Sequence, residues 1–122
     1  AAVSVRVAQG DFAAAQTFCR KLEAAAHDYG SRLWLAMARQ AHGELMAAQG
    51  NLEEASSAYA EAHAAFTAAG NEYEAARCLM AMAALRARRN TPGDAERAQA
   101  ERAKAEQMFE QLGAAPSYLR AG

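Results

Sequence analysis

The chain has 122 residues, enough for one domain with a modest core. Alanine supplies 36 of them, whereas valine, isoleucine and threonine together supply six, a composition that excludes a β-sheet and favours closely packed helices. The formal net charge is −1, but residues 40–76 carry six acids and no Lys or Arg, and residues 77–104 carry seven bases against three acids. The basic segment has no aromatic residue for base stacking, so nucleic acid is not expected as a partner.

A short tract recurs at an interval of forty residues. Ala8–Phe12 is echoed by Ala48–Leu52, and Gly30 is echoed by Gly70. A fixed period of this size is typical of helical repeat proteins, and the repeated glycines mark the helix ends. They predict six helices, over residues 2–9, 12–29, 32–48, 52–69, 72–89 and 94–112.

A polar residue follows most of these glycines and predicts a helix N-cap. Asp11, Asn51 and Asp94 are expected to accept hydrogen bonds from the first turn of one helix of each pair, and Ser31 and Asn71 from that of the other. The spacing of Asn51 and Asn71 to a glutamate three residues on is that of a capping box.

The whole chain, residues 1–122, is interpreted as a single helical repeat domain. Its repeats run roughly over 1–29, 31–69 and 71–112, with a tail at 113–122. The first repeat is truncated and the chain begins without methionine, so we expect a piece of a larger protein. End-to-end homodimers are expected through the faces of helix 12–29 and of the last helix, which the sequence leaves uncovered.

Cys19 and Cys78 fall on helices that a repeat stack separates, so both are expected to be reduced thiols. His42 is expected to be a buried, hydrogen-bonded side chain, and the alternative is a contact with a ligand or partner. The histidines show none of the spacings that place metal ligands on one helical face, and no nucleophile, acid–base pair or phosphate-binding loop is present. The sequence therefore predicts no enzyme, no metal and no cofactor.

Gly43, the turn at 50–52 and the positions of Ala55, Tyr59 and Ala62 resemble the tetratricopeptide repeat. The resemblance covers nearly the whole chain, although the period exceeds the family's usual length of about 34 residues and its terminal proline is replaced by glycine. The longer repeats also resemble the helical arrays of large bacterial ATP-binding transcription regulators of the maltose-regulator and LuxR-related type. The resemblance implies an all-α, right-handed superhelical stack of antiparallel helix pairs.

The resemblance further implies a concave groove lined by the first helix of each pair. Its partner-binding residues in this chain would be Met37, Gln40, Glu44, Arg77, Met80 and Arg88. Two methionines and scattered charges suit an adaptable groove. The expected function is a scaffold that binds a peptide or partner protein, within a cytoplasmic bacterial regulatory or signalling protein and with no membrane contact. The alternative is a domain that senses a small effector in the same groove.

Three arginines gather at the end of the fifth predicted helix, beside the one place where the forty-residue period lengthens by three. Arg86 and Arg89, with Arg88, have two interpretations. They compensate the helix dipole, or they form a docking patch for an acidic partner surface. Arg102 interrupts the apolar stripe of the last helix and either extends outward or contacts something beyond this chain.

Overall fold

The computed structural model describes residues 10–113, and this part of the chain is all-helical. The five helices agree with the predicted ones to within a residue at each end, and the predicted helix over 2–9 lies outside the described residues. They are α1 (Phe12–Tyr29), α2 (Arg32–Ala48), α3 (Leu52–Ala68), α4 (Glu72–Arg89) and α5 (Asp94–Gln111).

One predicted stop is wrong, since the left-handed residue after α4 is Asn90 and Gly93 lies at the amino end of α5. The stops at Gly30, Gly50, Gly70 and Gly113 are confirmed by their positive φ angles. Gly30 shows their use: its left-handed conformation turns its own N–H back to the last carbonyls of α1. Three predicted caps are also confirmed, at Asp11, Ser31 and Asn71, whose side-chain oxygens accept from the backbone N–H three residues on. The chain therefore punctuates its helices largely by local chemistry.

Two predicted capping hydrogen bonds are absent, although Asn51 does occupy the N-cap position of α3. The side chain of Asn51 makes no capping hydrogen bond at the start of α3. At the start of α5 the cap position belongs to Gly93, and Asp94 is the first helical residue. Neither predicted capping box closes, since the carboxylates of Glu54 and Glu74 bond to side chains of other residues.

Each helix packs antiparallel against the next one along the chain. In the α4–α5 pair, Arg89 meets Asp94 at one end, and the rings of Tyr73 and Phe109 lie 5.5 Å apart at the other. The core consists of clusters of small residues around a few large ones, such as the fully buried Phe66 and Leu45. Alanine lets the helix backbones approach closely, so that a few large side chains suffice to fill the spaces between them.

The α2–α3 contact centres on Gly43. A methyl group at this position would lie 3.0 Å from Cδ2 of Tyr59, so the absence of a side chain lets the tyrosine ring lie directly on the α2 backbone. Tyr59 also contacts the cluster that contains Ala75 and Cys78 of α4. One aromatic ring thus joins three helices.

The α4–α5 turn is held by charge. Asp94 is 2% exposed and accepts hydrogen bonds from Arg89 Nε (2.9 Å), Arg89 Nη2 (2.7 Å), the backbone N–H of Thr91 (2.9 Å) and the hydroxyl of Thr91. The hydrogen bonds from Arg89, followed by those from Thr91, hold the pKa of Asp94 well below its ordinary value. A carboxylate with this many donors stays ionised although it is buried.

Candidate functional site

Two hydrogen bonds join α2 and α4, the first helices of two successive pairs. Gln40 Nε2 donates to Oε2 of Glu74 across 3.4 Å, and Arg88 Nη1 donates to the backbone carbonyl of Ala47 across 3.2 Å. These contacts join the middle of α2 to the start of α4, and the carboxyl ends of the two helices. The six residues predicted to line a groove are therefore carried by neighbouring helices.

On α2, the predicted residues differ in exposure. The side chain of Met37 is 42% exposed, whereas Gln40 and Glu44 are half-buried. The amide of Gln40 is directed toward Glu74 and toward the sulfur of Cys78, 4.0 Å away. Met37 is thus the α2 residue most open to a partner, and Gln40 joins the two helices.

On α4, the two predicted arginines are exposed and Met80 is half-buried. Arg77 Nη1 forms an ion pair of 2.8 Å with Oε1 of Glu74. Arg88 has no carboxylate partner among the described residues, since its hydrogen bond goes to the carbonyl of Ala47. Arg88 is therefore the more available of the two cations.

An exposed apolar patch, which the sequence pattern did not indicate as part of the site, extends this face at the amino end of α2. Leu33 and Trp34 are each 41% exposed, and Tyr29, which meets the edge of Trp34 with ring centroids 5.4 Å apart, is 76% exposed. Leu33 precedes Met37 by four residues and so shares its side of the helix. We call Tyr29, Leu33, Trp34 and Met37 the apolar patch.

The space between α2 and α4 contains groups that stay neutral. Burial, reinforced by Glu44, raises the pKa of Tyr59 to about 12. Burial also raises the pKa of the Cys78 thiol to about 12, with a smaller contribution from Glu74. A thiol that stays protonated at neutral pH is a poor nucleophile and a poor metal ligand. Cys19 is likewise a buried free thiol, as predicted.

The arginines of the predicted docking patch are engaged within the chain. Arg86 Nε pairs with Oε1 of Glu101 across 2.8 Å, and Arg89 pairs with Asp94 across 2.7 Å. The side chain of Arg86 is 18% exposed and that of Arg89 is 31% exposed. Both arginines link α4 to α5. Their role in docking an acidic partner remains a prediction.

The histidines are dispersed. His42 is half-buried, less than predicted, and its Nε2 lies 3.4 Å from Oε1 of Glu54. Burial, followed by the charge of Lys104, lowers the pKa of His63. Across residues 10–113, no group of three His, Cys, Asp or Glu side chains converges as metal ligands would.

A shallow hollow of about 390 Å³ lies between the end of α4 and the start of α5. None of the predicted groove residues borders it. Its walls are Ala87, Asn90, Ala95, Ala98, Gln99 and Arg102. The hollow is thus separate from the α2–α4 face.

Neither the hydropathy of the helices nor comparison with known proteins assigns this chain to a class of protein. In the described part of the chain, no helix is both long enough and apolar enough to cross a membrane. The chain matches no family model, no curated protein and no solved structure. Any function must therefore be argued from the faces of this helical array.

Proposed function

We propose that this chain is a protein- or peptide-binding scaffold that uses the face formed by α2 and α4. In this proposal the helix pairs continue as a right-handed superhelix of the tetratricopeptide type, and α2 and α4 line its concave side. The observation that carries the proposal is the exposure of the apolar patch on α2, together with the exposed Arg77 and Arg88 of α4. Clustered exposed aromatic and aliphatic side chains next to charged ones are typical of interaction surfaces.

The arrangement of side chains suits a partner that is a polypeptide. The patch offers Trp34 and Met37 as apolar contacts, while Arg88 and Glu44 lie further along the same helices. The distance along α2 from Leu33 to Ala48 is about 22 Å, at about 1.5 Å per residue, which matches about seven residues of an extended chain. A segment of that length contacts both the apolar and the charged part.

As biological context we propose a module of a cytoplasmic bacterial regulatory protein, on the strength of the sequence resemblance alone. The effector-sensing alternative stays a prediction for the same residues, Met37, Gln40, Arg77 and Met80. It predicts a saturable thermal shift with a small metabolite. The peptide hypothesis predicts instead that binding depends on the apolar patch.

A random peptide library displayed on phage tests the proposal. We expect Met37→Glu to reduce the affinity of selected peptides by tenfold or more, on the order of 1.4 kcal/mol, because it places a charge in the apolar patch. Arg88→Glu should weaken binding by a smaller factor. The melting temperature should change little for either variant, because both side chains are exposed.

The matched control is Ala64→Glu, which adds the same charge at an exposed position of α3. It should bind the selected peptides as the wild type does. Failure to select any peptide, or equal binding by the Met37→Glu variant, would contradict the proposed face.

A further inference from the structure

One face of α3 and one face of α5 correspond position by position, since the repeat register relates them by 43 residues. On α3, the stripe Leu52, Ser56, Tyr59 and His63 is half-buried along its whole length. On α5, the corresponding stripe is Ala95, Gln99, Arg102 and Glu106, and all four residues are exposed. The spacing of four, three and four residues keeps each stripe on one side of its helix.

The stripe on α3 is covered by α2, on which the ring of Tyr59 lies at Gly43, and by the next helix pair. Tyr59 contacts the cluster with Ala75 and Cys78 of α4. The charge of Lys104 on α5 acts on His63 at the far end of the stripe. In this array, the natural cover of such a stripe is therefore a helix that runs antiparallel to it.

Within residues 10–113, α5 is the last helix, and its stripe has no such cover. At its amino end the stripe consists of Ala95 and Gln99, which border the hollow, and the hollow leaves room for side chains from another molecule. Further along, it carries one base and one acid four residues apart. Neither Arg102 nor Glu106 forms an ion pair with another described residue.

This order of charges is self-complementary. When two copies of a helix pack antiparallel around a two-fold axis, residue 102 of each copy faces residue 106 of the other, provided that the axis passes near residue 104. Both ion pairs then form at once. Lys104 does not oppose its own copy, because it lies on the other side of α5, where its charge lowers the pKa of His63.

We propose that the α5 stripe is a docking surface for a second copy of this chain, with Arg102 of each copy paired with Glu106 of the other. The second α5 takes the place on the first that α4 occupies on α3. The surface is distinct from the α2–α4 face, so a dimer leaves the proposed peptide groove open. The proposal also specifies the homodimer expected from the sequence, which would form through α5 and the ion pairs between Arg102 and Glu106.

Charge reversal tests this pairing. Sedimentation velocity from micromolar to near-millimolar protein should show a reversible dimer for the wild type. Arg102→Glu and Glu106→Arg, each alone, convert two attractive pairs into two repulsive ones, and self-association should weaken roughly tenfold or more. A mixture of the two variants should dimerise again, because the carboxylates of one then face the guanidinium groups of the other.

Arg97→Glu is the matched control, since it makes the same charge change at an exposed position on another side of α5. It should leave the dimer unchanged, and all variants should melt within a few degrees of the wild type. A wild-type chain that stays monomeric over this concentration range overturns the proposal. So does a mixture that fails to associate, or an Arg102→Glu variant that dimerises as well as Arg97→Glu.

Discussion

The two helix pairs α2–α3 and α4–α5 have nearly the same length and the same antiparallel arrangement, but different forces hold them. In α2–α3, the ring of Tyr59 lies on Gly43 and continues into a cluster around the buried Phe66, while the cap residue Asn51 makes no side-chain hydrogen bond. In α4–α5, Ala83 stands at the position of Gly43 and Arg102 at the position of Tyr59. The turn between α4 and α5 is held by Asp94, which accepts hydrogen bonds from Arg89 and Thr91.

The difference shows that a repeat conserves the placement of its helices without conserving the interaction that stabilises them. Where an aromatic ring fills the space between the two helices, as in α2–α3, the turn that joins them needs no strong cap. Where the ring is replaced by an exposed arginine and the hollow opens, a buried ion pair between α4 and α5 fastens the turn instead. Apolar packing is insensitive to pH, whereas the ion pair depends on it. The stability of the two helix pairs should therefore respond differently to a change of pH.

The largest effect is expected from Tyr59→Ala. Removing the ring leaves a cavity between α2, α3 and α4 and should lower the free energy of unfolding by about 2–3 kcal/mol, below the value for a fully buried aromatic residue because Tyr59 is half-buried. Urea denaturation measures the loss. Tyr29→Ala is the control, since it removes the same ring from a side chain that is 76% exposed. Equal losses in the two variants would contradict the role given to Tyr59.

A smaller effect is expected from Asp94→Asn, which keeps the shape of the side chain and removes its charge. The melting temperature at neutral pH should fall by several degrees, because the Arg89 guanidinium loses its partner. Asp11→Asn is the control, since it changes an exposed N-cap from one good capping residue to another. A fall no larger than that of Asp11→Asn would show that the ion pair does not hold the turn.

The loss of stability caused by Asp94→Asn should depend on pH. Because the folded pKa of Asp94 is depressed from 3.8, its contribution to stability is present above that pH and is lost as the pH falls below it. The difference in stability between the wild type and Asp94→Asn should therefore narrow in acid. Tyr59→Ala, by contrast, should destabilise the protein by nearly the same amount across this range.

The smallest effect, and the one most specific to α2–α3, is expected from Gly43→Ala. A methyl group 3.0 Å from the Tyr59 ring causes overpacking that outweighs the gain in helix propensity, for a net loss of about 1 kcal/mol. In the Tyr59→Ala background the clash disappears, and the same substitution should stabilise the protein by about 1 kcal/mol. Urea denaturation of the double mutant measures this change of sign. Additive effects would contradict the proposed contact.

The sequence predicted the five described helices because their ends depend on local groups. The glycines between the helices supply left-handed residues, and Asp11, Ser31 and Asn71 cap the first turn within three residues of themselves. The prediction for Asp94 was wrong for an equally physical reason. The three extra residues of the α4–α5 turn place Gly93 at the cap position and bring Asp94 to Arg89, a contact made only once α5 packs on α4.

The candidate site was predictable only in part. The resemblance to a known repeat selected Met37, Arg77 and the other groove residues, and two hydrogen bonds do join α2 and α4. It did not indicate that Trp34 and Leu33 would remain exposed beside Met37, since apolar residues on a helix between two others are ordinarily buried. Nor did it show that Arg86 and Arg89, which look like a free basic cluster, have carboxylate partners on α5.

The sequence by itself determined where the helices begin and end and that they must pack on small side chains, because capping, glycine conformation and the dominance of alanine act within a few residues. The tertiary structure decided which charges are satisfied and which surfaces remain open. A side chain's burial and ion-pair partner depend on groups far away in the chain: Arg89 is held by Asp94 across a turn, Gln40 reaches Glu74 on another repeat, and Arg102 stands exposed where Tyr59 is covered.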